Sequence, residues 1–275
     1  MKSQSIAHKG KQRELLPAMD GQHDCRGAAE DVPGKGCFYA GDIRVNENVG
    51  LTLMHTLWMR EHNRIARTLS KINPHHTDEQ IFQETRRIVA ARLQHIVYSE
   101  LLPAILGSEV ITEYDLSPLQ DGYYARYNMD VNPGIDNAVA TAVMPFLYSM
   151  LPSRLERYSH KLSMLGIKKM SETYFNPSDL YDSTKFDEYL MGLISQNAQR
   201  PDVFVSKEIT NNIALEAREG TDLVAAIIQQ GRDHGIPGYL AVRKSCGIEP
   251  EIKTWNEMSA ILNRTIVTEL SNIYK

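Results

Sequence analysis

Residues 51–72 read LTLMHTLWMREHNRIARTLSKI. Leu51, Met54, Leu57, Trp58, Ile65 and Leu69 recur there at the spacing of one face of an α-helix. Asn73-Pro74 stops that helix, because proline disfavours helical geometry in the residue before it. Thr77 can cap a second helix that runs to about Tyr98, with Ile81, Ile88, Leu93 and Ile96 as its apolar positions. Pro103 and Gly107 are expected to close it. Upstream, residues 1–36 read as an irregular segment punctuated by Gly21, Gly27, Pro33 and Gly34, and 37–275 as a helical core.

Downstream, residues 112–136 are loop-like, rich in Tyr, Asp, Asn and Pro. A helix is expected from about Asn137 to Leu151, followed by helical patches near 155–165, 184–196, 208–217, 221–231, 236–244 and 253–274. No β-alternation persists for more than a few residues, so the expected class is mainly α.

A chain of 275 residues, 42% hydrophobic, can bury a substantial core. Its net charge of −4 offers no basic surplus, so nucleic acid is not an implied partner. No run of eighteen apolar residues exists to span a membrane, and the N-terminus lacks a signal-peptide apolar stretch. Cys25 and Cys37 could bridge a short loop, leaving Cys246 over. Asn263-Arg264-Thr265 has the form of a glycosylation sequon, a triplet that also arises by chance.

Three stretches carry unusual polar density. In CFYAGDIRVNE, residues 37–47, Asp42, Arg44 and Glu47 crowd the entrance to the long helix, with Arg44 and Glu47 three apart. Such a cluster can be a capping arrangement, acids at a helix start with an arginine paired to them. In MHTLWMREHNRIA, residues 54–66, His55, Glu61 and His62 suggest a metal, but the histidines lack the HExxH spacing. A structural network of Arg60, Glu61, Asn63 and Arg64 is the better reading. In QQGRDHGIPGY, residues 229–239, Arg232, Asp233 and His234 end a helix, and Gly235 can take a left-handed turn. The Asp–His pair reads as a network that locks this turn, with a catalytic pair as the alternative.

Together these stretches, with NPHHTDEQIFQETRRIVAARLQHIVYSELLPAILG between them, resemble the animal haem peroxidases of the peroxinectin and peroxidasin type. The resemblance covers about residue 11 to 275 and implies a partial, mainly α peroxidase domain with haem between its helices. It implies that Arg44 sits on the distal side and polarises peroxide, since a guanidinium near the O–O bond stabilises charge on the departing oxygen. It places Glu47 where an acid can form an ester to the haem rim, and pairs Cys25 with Cys37 as a family disulfide. VATAVMPFLYSMLP aligns with the segment carrying the proximal histidine ligand, and Tyr148 falls on that histidine. Pro145 and Leu147 take the neighbouring arginine and glycine positions. Ile227 falls on the asparagine that holds the histidine, and Gln230 on the arginine that pairs with a haem propionate. The family's distal histidine and calcium loop belong to a segment N-terminal to this sequence.

The resemblance implies a peroxide-dependent oxidoreductase with a role in the response to oxidative stress. It further implies haem as cofactor, hydrogen peroxide and a small phenolic or halide donor as substrates, and an extracellular setting. Tyr148 could serve as an iron ligand, as a tyrosinate does in catalases. Loss of the proximal set points instead to impaired catalysis, with a non-catalytic module that binds a protein partner as the alternative.

Overall fold

Helix α1, Val49–Ile72, is the longest element, and it begins where Asn48 turns its side chain back to accept from the Leu51 amide at 3.0 Å. The computed structural model describes residues 4–8, 11–19, 25, 36–125, 127–213 and 221–274. Helix α2, Asp78–Ile96, opens on a reciprocal cap in which Thr77 and Gln80 each bond the other's backbone. Glu61 of α1 ties the two helices together by accepting from Arg64 at 2.7 and 2.8 Å and from Arg92 of α2. Arg60 donates to the Glu14 carbonyl at 2.7 Å, and Asn63 to the Glu14 carboxylate at 3.2 Å. The polar run around 60–64 is therefore a structural network, as its residue types suggest.

The backbone continues past α2 through a π-helical turn, Val97–Leu101, into α3, Leu102–Glu113. Pro103 does not end the helical run. It sits near the start of α3, directly after the π-helical turn, and donates no backbone hydrogen bond there. The break comes at Gly107, whose φ of +80° is open to a residue without Cβ.

Two β-hairpins depart from the expected pattern. Strands β1, Gln4–His8, and β2, Lys11–Leu15, pair antiparallel within the segment read as irregular. The glycines and proline at 21, 27, 33 and 34 lie outside the described residues. Strands β3, Arg154–Tyr158, and β4, Met164–Lys169, replace the helix expected near 155–165. The cause is tertiary. The Gln196 side chain accepts from the Glu156 amide at 3.0 Å and donates to the Arg154 carbonyl at 2.8 Å, satisfying the free edge of β3. Helix α4, Ser183–Ser195, lies against this strand at Gly192, where a Cβ would collide with the Glu156 carbonyl oxygen.

The chain forms two compact units: Met1–Gly134 with Phe146–Val224, and Ile135–Pro145 with Ala225–Lys275. The first has a core of Leu15, Phe38, Leu53, Leu180, Phe186 and Ile209, each no more than 1% exposed. Asp179 pins its rim, accepting from Lys168, Lys185 and Tyr189 at 2.7–2.8 Å. Together with the short helix α5, Lys207–Thr210, these elements complete the first unit. The expected continuation of α5 over 214–217 lies outside the described residues.

In the second unit, α6, Leu223–Asp233, ends at Gly235 with φ +65°, the left-handed turn expected there. His234 bonds Asn137 at 2.8 Å, whereas Asp233 accepts from Gln229 at 2.8 Å. The two neighbours thus serve separate packing contacts and form no catalytic pair. Helices α7, Tyr239–Ser245, α8, Trp255–Met258, and α9, Arg264–Ile273, complete this unit. The last two occupy the single patch expected over 253–274. Residues 137–151 are helical but irregular. They form a π-helical turn, Val139–Val143, and then a 3-10 helix, Met144–Met150. Pro145, which has no N–H to donate, stands at their junction.

Candidate active site

Three side chains singled out in the sequence, Arg44, Glu47 and Tyr148, line one cavity of about 680 Å³ in the first unit. Its position follows from a rigid turn. Asn46 is buried, and its carboxamide accepts from the Phe38 amide at 2.9 Å and donates to the Phe38 carbonyl at 2.8 Å. Thr52 donates to the Val45 carbonyl at 2.6 Å, and the Asn46 carbonyl accepts from the Phe175 amide at 3.0 Å. The 3-10 turn Ile43–Asn46 is thereby fixed on three sides, with Arg44 and Glu47 presented from it. Helical spacing along the first turns of α1 adds Leu51, Met54 and His55 to the same wall. The 3-10 helix Met144–Met150 supplies Leu147 and Tyr148.

Arg44 does not pair with Glu47 as their spacing suggests. Its Nε and Nη2 donate to the two oxygens of Asp42 at 3.1 and 2.9 Å, and its backbone N–H caps on the same carboxylate at 2.8 Å. These bonds hold Asp42 down to about 2. A guanidinium has five N–H donors, so Asp42 fixes its plane and leaves three for a ligand. Asp42 favours the charged form of Arg44 most, and Glu47 and Tyr148 add smaller contributions. The Tyr148 phenol therefore lies within electrostatic reach of a cation.

Glu47 is half-buried, and its carboxyl has no hydrogen-bond partner among the described residues. Burial raises its pKa above the ordinary 4.5 despite the opposing pull of Arg44. An acid whose folded pKa is raised weakens the fold as pH rises through that range and ceases to do so below it. Glu47→Gln is therefore expected to melt higher than the parent at pH 7, with the difference vanishing below about pH 4. Thermal melts across pH 3–8 check this; equal midpoints throughout would contradict it.

Two tyrosines line the cavity, and they differ in availability. Tyr174 is buried and donates to the Glu208 carbonyl at 2.9 Å; burial pushes its phenol well above the usual range. Tyr148 is half-buried, and its hydroxyl has no hydrogen-bond partner among the described residues. Of the two, Tyr148 is the one open to a ligand.

Met170 and Tyr174 were not legible as parts of the site, and His55 was singled out only together with Glu61 and His62. His55 stands on the cavity wall with neither ring nitrogen hydrogen-bonded among the described residues. His62, its companion in the sequence motif, is buried elsewhere against Phe82. The i, i+4 step from Leu51 to His55 was the available signal. Among the described residues no group of three metal-ligating side chains converges. Cys25 and Cys37 are bridged, with their Cα atoms 5.6 Å apart.

The profile of the animal haem peroxidases matches residues 1–275. The chain belongs to that family. It is 38% identical over 262 residues to the peroxidasin homolog pxn-2 of Caenorhabditis elegans, covering 93% of this chain and 19% of that one. It is 33% identical to the chorion peroxidase of Drosophila melanogaster over 96% of this chain and 32% of that one. Among solved structures, Peroxidase A from Dictyostelium discoideum superposes with a TM-score of 0.78 at 30% identity, over 95% of this chain and 48% of that one. A fatty acid alpha-dioxygenase from Arabidopsis thaliana shares the fold at a TM-score of 0.69 and 16% identity, over 86% of this chain and 42% of that one. The chain thus spans a third or less of these curated relatives and about half of the Dictyostelium enzyme.

Family membership implies haem, and the cavity suits it. Its volume falls within the roughly 300–1,000 Å³ of small-molecule sites. Its walls are mostly apolar, from Leu51, Met54, Leu151, Leu155 and Met170, with Glu47 and Tyr148 as polar groups whose side chains have no hydrogen-bond partner among the described residues.

Proposed function

We propose that this chain is the haem-holding portion of a peroxide-dependent oxidoreductase whose turnover is impaired by the tyrosine at 148. The observation that carries this reading is the gathering of Tyr148 with Arg44 and Glu47, which lie far from it in sequence, on one apolar-walled cavity. Haem bound there would pass electrons from a small phenolic or halide donor to hydrogen peroxide, so that the peroxide is reduced and the donor oxidised. Arg44, its plane fixed by Asp42, stabilises negative charge on the departing oxygen. Glu47, whose carboxyl has no hydrogen-bond partner among the described residues, would hold the haem rim by a hydrogen bond or an ester. Tyr148, on the same cavity, would be the group that holds the iron. Tyrosine can ligate haem, but only as phenolate does it match an imidazole as a donor, which is why turnover is slowed rather than the cofactor lost. The bridged Cys25–Cys37 pair supports an oxidising, extracellular setting.

A second reading, a non-catalytic module that binds a protein partner, is favoured by exposed apolar side chains along α2 and α3. Ile96, Tyr98, Leu101, Ile105 and Leu106 are each more than a third exposed. Among the described residues no helix is long and apolar enough to cross a membrane.

Peroxide turnover of the haem-reconstituted chain with a phenolic donor separates the two readings. The enzyme reading expects slow but measurable turnover that falls about 100-fold or more in Arg44→Ala, the range seen when one charge-stabilising donor is removed. Turnover equal in parent and Arg44→Ala contradicts the role given to Arg44. No turnover in a haem-loaded parent favours the binding module.

A further inference from the structure

The sequence holds fourteen asparagines, and two head a triplet ending in serine or threonine: Asn176-Pro177-Ser178 and Asn263-Arg264-Thr265. Proline in the middle position disqualifies the first, because N-linked glycosylation requires the central residue to be other than proline. Asn263 is exposed and stands immediately before α9 as its N-cap, and Thr265 is exposed in the first turn. The Asn263 side-chain oxygen accepts from the Thr265 amide at 2.9 Å. Neither the Asn263 side-chain nitrogen nor the Thr265 hydroxyl has a hydrogen-bond partner among the described residues.

This division of labour within one carboxamide matters. The cap needs the oxygen, whereas a glycan attaches to the nitrogen. After attachment the group is still an amide with a carbonyl oxygen, so α9 keeps its cap and the fold loses no bond. A sequon whose nitrogen was buried or bonded would lack that freedom. The Cys25–Cys37 bridge supplies an independent observation, because disulfides persist in the compartments where N-linked glycans are added.

We propose that Asn263 is an N-glycosylation site. In the step, Nδ2 loses one proton and forms a bond to the anomeric carbon of an oligosaccharide carried on a lipid pyrophosphate. The bond from that carbon to the phosphate oxygen breaks, and the lipid pyrophosphate leaves with the electron pair. The proton passes to a base of the transferase, and nothing is oxidised or reduced. The consequence is a hydrophilic mark on the entrance to α9, so any partner of the second unit must leave that helix end open. The proposal rests on the extracellular setting given above, but not on haem or turnover.

The test translates the full chain behind a cleavable secretory leader in the presence of microsomes. The membrane-protected product is then treated with peptide N-glycosidase. Because the transfer precedes complete folding, the readout does not depend on the variants folding. The parent is expected to lose one oligosaccharide on treatment, with Asn263 recovered as aspartate in the peptide mass. Asn263→Gln and Thr265→Ala are expected to show no shift, and Thr265→Ser to retain it. A protected parent without a shift, or a shift that persists in Asn263→Gln, overturns the proposal. Failure of the extracellular reading would appear separately, as reduced Cys25 and Cys37 in protein taken from its own source.

Discussion

Phe38→Ala is expected to destabilise the first unit by about 3–5 kcal/mol, the range for removing a large buried aromatic side chain. Phe38 is fully buried and stacks on Tyr181 with ring centroids 4.9 Å apart and planes 18° from parallel. The substitution removes the ring from a core that includes Leu15, Leu53 and Phe186, where neighbours held by helix and strand can close the void only partly. Its effect should reach the site, because the Phe38 backbone is clamped by Asn46, whose turn carries Arg44 and Glu47. Urea unfolding monitored by circular dichroism gives the comparison, with the slope unchanged and the midpoint lowered. Ile43, 94% exposed on the same turn, provides the control, and Ile43→Ala should change stability by no more than about 0.5 kcal/mol. A loss below about 1 kcal/mol for Phe38→Ala would show that the core is not centred where the burial places it.

The helical frame was legible because its signals are local. The apolar face of residues 51–72, the Asn73-Pro74 stop and the Thr77 cap each act within a few residues, and α1 and α2 begin and end close to those marks. The hairpin at 154–169 was hidden because its cause is distant. Gln196 and Gly192 of another element determine that Glu156 is extended, and no local propensity records them. Its turn adds a second obstacle. Leu162 sits at φ +58° without the glycine or asparagine that announces such a turn. Pro103 misled because proline reads as a stop, whereas here it follows a π-helical turn and the helical run continues to Gly107.

The site shows the same contrast. Arg44, Glu47 and Tyr148 could be named from motifs, and the structure brings all three to one cavity. The capping cluster was legible, but not which acid pairs with Arg44: spacing favours the i, i+3 neighbour Glu47, whereas the cap geometry delivers Asp42. The opposite wall, Met170, Tyr174 and Ile209, comes from segments with no chemical signature of their own. Such residues acquire a role only when the chain folds around them. The disulfide was legible from family resemblance, and geometry supplies what a count of three cysteines could not.

The central claim, that this cavity holds haem with Tyr148 toward the iron, is tested most directly by an absorption titration of the purified chain with haem. The parent is expected to develop a Soret band that saturates at one haem per chain. In Tyr148→Phe the band should move and the affinity fall, because the phenol oxygen proposed to hold the iron is lost. Helix content by circular dichroism should be the same in both, since the Tyr148 hydroxyl makes no hydrogen bond among the described residues. A parent whose haem absorbance rises without saturation, with a spectrum identical to that of Tyr148→Phe, would contradict the account.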